Sequence, residues 1–188
     1  AGSLEAAVIG SSANESQITV ENLRSVEGGL YAGGFFGLAD VTGVAQVGSI
    51  VGKTNILELI KLGKVDVLDA FRSYIYHASV NGVAEGIQIS ATRSSATGML
   101  DSKRHMGSAG GFGGGMMNGS IHNCAVSNVS TVQGLNYVGG FVGHLGKNGV
   151  VKADDAHVSD LIGLNAGVLN IFGAHTENCS VSGVPTGL

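Results

Sequence analysis

The feature that most restricts the fold of this chain is its similarity to itself. A small or apolar residue, any residue, Val, any two residues, then Val or Leu occurs as Ile18-Val20-Leu23, Ala78-Val80-Val83, Cys124-Val126-Val129, Ala156-Val158-Leu161 and Cys179-Val181-Val184. Interleaved with it is a pair of small residues before an apolar one: Gly33-Gly34-Phe35, Gly110-Gly111-Phe112, Gly139-Gly140-Phe141 and the degraded Ala166-Gly167-Val168. The two patterns keep register, since Val20 to Gly33 and Val126 to Gly139 are both 13 residues. Steps of 29 and 27 residues between the later pairs match one turn of a repeat architecture rather than one domain.

Within a unit the apolar residues alternate with polar or small ones, which is the period of a strand with one buried face. No unit sustains a helical period. The expected fold is all-β, a parallel β-solenoid of right-handed β-helix type, with coils of about 27–29 residues and one or two irregular excursions. Composition agrees: 32 Gly without a strict third-position period, and a single Pro, exclude collagen, and 44% hydrophobic residues argue against disorder.

Asn81-Gly82, Asn118-Gly119 and Asn148-Gly149 are expected corners, because both residue types tolerate positive φ. Successive coils lie about 4.8 Å apart, so Gly33, Gly34, Gly110, Gly111, Gly139 and Gly140 are expected at turns where space is short or the backbone is left-handed. Phe35, Phe112 and Phe141 should stack as a ring ladder. Val20, Val80, Val126, Val158 and Val181 should form an aliphatic row beside it.

One domain over 1–188 is expected, as a piece of a longer chain, because NCSVSGVPTGL begins a unit and stops before its Gly pair. Residues 38–73 mix an amphipathic stretch with alternating Val65-Val67 and read as an insertion or an atypical coil. Residues 91–108 are polar, contain Lys103-Arg104 and read as an exposed surface loop.

The unit YVGGFVG, with its Gly-rich corner and the Ile-x-Asn-Cys-x-Val strand, resembles the GLUG repeat of bacterial surface adhesins, found also in non-catalytic parts of some IgA-specific metallopeptidases. The match is best over 121–143, partial over 17–37 and 174–184, and absent over 38–73. It implies an extracellular, cell-surface location and a role in adhesion or display, with anchoring by other parts of the protein. It transfers no catalytic residue.

Candidate chemistry is sparse. His-Glu-x-x-His is absent. The histidines at 77, 105, 122, 144, 157 and 175 show no metal-ligand spacing and read as surface or turn residues. Asp154, Asp155 and Asp160 beside His157 are the weak metal candidates, able to hold Ca²⁺ or to act as an acid/base pair, against their reading as solvated residues of an outer wall. GGFGGG at 110–115 lacks the Lys-Ser/Thr of a phosphate loop and reads as turns. Cys124 and Cys179 hold equivalent repeat positions with the Ala156 unit between them. Two coil spacings of about 9–10 Å exceed the disulfide limit, so both should be buried free thiols acting as small apolar residues.

No cofactor is expected, and no catalytic residue or binding side chain is assigned. Ten Lys and Arg against fourteen Asp and Glu, for a net charge of −4, disfavour a nucleic-acid partner. No apolar run is long enough to cross a bilayer, and the start lacks the pattern of a signal peptide. The favoured function is a non-enzymatic bacterial cell-surface adhesin or display module for a host glycan or extracellular-matrix protein, packed against flanking repeats of its own chain. The alternatives are a carbohydrate-active β-helix lyase or glycosidase, which needs paired acids on adjacent coils and aromatic subsites, and a spacer without a ligand. Any specific binding is expected in 38–73 or 91–108.

Overall fold

The computed structural model describes residues 3–4, 8–13, 17–39, 73–93, 107–117, 119–146 and 174–184. Among them the chain is all-β, with every strand pairing parallel, no helix and no closed barrel. Four short sheets are visited in the same order on successive passes.

The first pass contributes β1 (Ser3–Leu4), β2 (Val8–Ile9), β3 (Ile18–Leu23) and β4 (Ser25–Gly28). The second contributes β5 (Tyr31–Gly33), β6 (Phe36–Ala39), β7 (Ser73–Tyr76), β8 (Ala78–Gly82) and β9 (Ile87–Ala91). The third contributes β10 (Ser108–Gly110), β11 (Gly113–Met116), β12 (Gly119–His122) and β13 (Ala125–Gln133). The fourth contributes β14 (Tyr137–Gly139), β15 (Val142–Leu145), β16 (Ala174–Glu177) and β17 (Ser180–Gly183). The sheets run β1-β6-β11-β15, β5-β10-β14, β2-β7-β12-β16 and β3-β8-β13-β9-β4, with β17 also on β13. Each strand pairs only with its counterpart one pass earlier or later.

Alternation builds the core. In β7, β8 and β9 the buried residues Ile75, Val80, Ile87 and Ile89 alternate with more exposed ones. β-branched side chains suit this half-buried pleated surface. Val20, Val80, Val126 and Val181 lie in one register row. Val181 is nonetheless 42% exposed, unlike the core position expected of it, because no described strand pairs with the far side of β17. Phe112 stacks between Phe35 and Phe141 at centroid distances of 5.0 and 4.9 Å, and Phe36 meets it edge-on at 5.9 Å.

The glycine pairs differ from their expected form in one respect. None of the six has positive φ; their role is space. Gly34 donates its N–H to Gly111 O and Gly111 to Gly140 O, at 3.1 and 3.0 Å, so the bends themselves are hydrogen-bonded from pass to pass. Gly113–Met116 is a buried strand rather than a turn, with the Phe36 ring where a Gly113 Cβ would stand and the Gly37 and Ala32 backbone against Gly114. Among the described residues, positive φ falls on Asn22, His77, Asn123, Asn128 and Asn178 and on Gly10, Gly86, Gly107 and Gly119, and all but Gly119 lie outside the expected Asn-Gly pairs. Asn123 and Asn178 (φ 53° and 51°) follow the register partners His122 and Glu177, and His77 (φ 51°) follows Tyr76. Of the expected corners, Gly119 has φ 128° and Gly82 ends β8, while Asn118 and 148–149 lie outside the described residues.

The spacing of the passes also departs from a constant 27–29 residues. Gly110 pairs with Gly139 at the expected 29, but Val80 pairs with Val126 at 46 and Val126 with Val181 at 55. Residues 40–72, most of the 38–73 stretch, stand in the sequence between β6 and β7, and residues 147–173, which include Val158, between β15 and β16. Both segments lie outside the described residues. Of the expected 91–108 loop, 94–106 also lie outside, while Ala91, Gly107 and Ser108 are buried because they end β9 and lead into β10.

Candidate functional site

The sheet β2-β7-β12-β16 sends Ile75 and Ile121 into the core and leaves the other side of its strands outward. Tyr74 and Tyr76, two apart on β7, project together with parallel rings at 6.2 Å. Tyr76 stacks on His122 at 5.1 Å, and His122 meets His175 edge-on at 5.4 Å. A row of rings therefore crosses three passes.

Polar contacts hold the centre of this row. One nitrogen of the His122 ring, Nε2, lies 2.8 Å from Ser120 Oγ, and the other, Nδ1, lies 3.1 Å from Glu177 Oε2. His122 and Glu177 are direct register partners, and Ser120 faces His175. His122 retains 21% of its side-chain exposure and Glu177 61%, so the contact is open to solvent. The expectation that the histidines are scattered is corrected here: His122 and His175, 53 residues apart in the chain, sit on neighbouring strands.

A second outward surface lies on β4, β9 and β13. Two register rows, Ser25-Gln88-Thr131 and Glu27-Ser90-Gln133, flank a shallow depression of about 230 Å³. The side chains of these two rows are neutral hydrogen-bonding groups apart from Glu27. Opposite Glu27 stands Ser90, and opposite Glu177 stands His122, so neither carboxylate faces another across its ladder.

The cysteines are corrected as well. Ala125 pairs directly with Ser180, which makes Cys124 and Cys179 immediate neighbours with no unit between them. At one strand spacing, about 4.8 Å, their Cα atoms fall within disulfide range, yet both thiols are free. Cys124 is buried, accepts the Ala78 N–H at 3.3 Å and donates to His122 O at 3.2 Å; Cys179 is half-buried and donates to Glu177 O. The hydrogen bond between the two thiols lowers Cys179 from 9.0 to about 7. The same bond, then burial, raises Cys124. The pair holds one proton tightly and releases the other early.

With its pKa lowered in the folded state, Cys179 contributes stability that is complete above the ordinary thiol value and is lost as pH falls through about 7. Cys124, raised, stays protonated where the unfolded chain ionises, so stability declines again above 9.0. The urea midpoint should therefore rise from pH 6 to a maximum near pH 9 and fall beyond it, and Cys179→Ala should remove the rise. Iodoacetamide should label Cys179 before Cys124. A flat profile, or Cys124 labelled first, would contradict the pairing.

Of the other candidates from sequence, Asp154, Asp155, His157 and Asp160 lie outside the described residues. Comparison with protein-family models, curated proteins and solved structures returns no match.

Proposed function

We propose that the four passes form a parallel β-solenoid, and that this chain is a non-catalytic bacterial cell-surface adhesin or display module whose outer wall contacts a host glycan or matrix protein. The single-order visiting of four sheets, with each strand paired to its counterpart one pass away, supports the solenoid reading. The resemblance of residues 121–143 to GLUG repeats supports the surface location.

The observation that carries the adhesive reading is the ring row Tyr74, Tyr76, His122 and His175 on one wall. Tyr and His rings present an apolar body with a polar tip, which suits recognition surfaces that are partly wet. Two of the chain's four tyrosines stand in this row. Glycoside cleavage would need two carboxyl groups about 5–9.5 Å apart across a sugar, whereas the direct register partners of Glu27 and Glu177 are Ser90 and His122.

The test is a binding screen of the whole chain against a glycan array and immobilised matrix proteins. The parent should bind in one arm, and Tyr74→Ala/Tyr76→Ala should bind at least about tenfold more weakly with an unchanged circular-dichroism spectrum. A blank screen in both arms would leave the ligand-free spacer and end the adhesive reading. Release of new reducing ends from a glycan would favour the enzyme.

A further inference from the structure

We propose that His122, His175 and Glu177 form a binding site for a divalent transition-metal ion of the zinc class on the outer wall. One ligand atom from each residue lies within 4.8 Å of the other two. Tetrahedral coordination with bonds near 2.0–2.2 Å requires ligand atoms roughly 3.3–3.6 Å apart. The His122 Nδ1 to Glu177 Oε2 separation is already 3.1 Å, so closing the site requires small rotations of exposed side chains and no backbone movement.

The strand geometry explains why these three meet. His175 and Glu177 are two apart on β16 and share its outward face, and the register puts His122 directly across from Glu177. His122 is oriented before any ion arrives. Its Nε2 is engaged by Ser120 Oγ, its ring lies on Tyr76, and its Nδ1 points at the carboxylate. A hydrogen bond on the distal nitrogen, with a packed ring, is the usual support of a metal-bound imidazole.

Two imidazole nitrogens and one carboxylate oxygen select for Zn²⁺, Ni²⁺ or Cu²⁺. Ca²⁺ and Mg²⁺ prefer six or more oxygen donors. Three protein ligands leave a fourth position on zinc for water or for an oxygen or nitrogen of a bound partner. The site does not rest on the adhesive reading, because it is built from coordination geometry alone.

The experiment titrates the whole chain with zinc sulfate by calorimetry and with cobalt(II) by visible absorption. The parent should bind one ion at this site. His175→Ala and Glu177→Gln, both at exposed positions, should each weaken binding at least about tenfold while keeping the parent circular-dichroism spectrum. Glu85→Gln, exposed in the turn between β8 and β9, should bind like the parent. Cobalt bands typical of nitrogen and oxygen ligands support the site. Absence of binding, equal affinity in His175→Ala and Glu177→Gln, or a thiolate-to-cobalt band from Cys124 or Cys179 overturns it.

Discussion

Gly110→Ala is expected to remove the folded state, and Gly140→Ala to leave stability within about 0.5 kcal/mol of the parent. A methyl group at Gly110 would fall on Gly113 O, and would lie 2.5 Å from Gly143 N and 2.8 Å from Val142 Cα. All three are backbone atoms of β11 and β15, which pair with each other, so none can give way without disturbing that ladder or the pairing of β10 with β14. At Gly140 the nearest atoms are the Val181 methyls at 3.6 and 3.7 Å, which is ordinary contact. Both changes restrict the unfolded chain alike, a stabilising effect of about 0.4–1 kcal/mol that cancels in the comparison. The difference, expected to exceed about 4 kcal/mol, thus reads crowding in the folded state. Urea denaturation followed by circular dichroism reads it as a transition for Gly140→Ala like the parent's and none for Gly110→Ala. Equal midpoints for the two variants would show that the passes do not pack as described.

Phe112→Ala is expected to cost about 3–5 kcal/mol, the range for removing a fully buried aromatic side chain. The ring is 0% exposed and loses two face-to-face partners, Phe35 and Phe141, and the edge contact with Phe36. Each aromatic pair is worth about 0.5–1.5 kcal/mol beyond its buried area. Phe141→Ala removes one of these pairs from a half-buried position and should cost about half as much. The ordering tests the stack: if Phe141→Ala matched Phe112→Ala, the third-pass ring would not be the centre of the core. A double-mutant cycle on Phe35 and Phe112 should return a coupling of about 0.5–1.5 kcal/mol.

The repeat was legible where side chains face the core. Val20, Val80 and Val126 recur because each must fill the same space above the one before, and Phe35, Phe112 and Phe141 recur for the same reason. The candidate site was not legible, because its residues face outward and carry no repeat. The frame that aligns Cys124 with Cys179 also sets His122 over Glu177 and Ser120 over His175. Counting Ala156-Val158-Leu161 as a coil between them hid that juxtaposition and separated the two thiols.

By itself the sequence determined the β period, the ring and valine rows and the need for glycine at the crowded bends, since each is imposed by burial at a spacing of about 4.8 Å. Only the tertiary structure decided which pass lies beside which. Pairing depends on which strands meet in the ladders, and β7 follows β6, and β16 follows β15, in the same order as β12 follows β11, whatever the length of chain between them. The cost of closing a longer loop grows only as the logarithm of its length, so sequence distance says little about which strands become neighbours. The meeting of His122 with His175 and Glu177, and of Cys124 with Cys179, follows from that pairing alone.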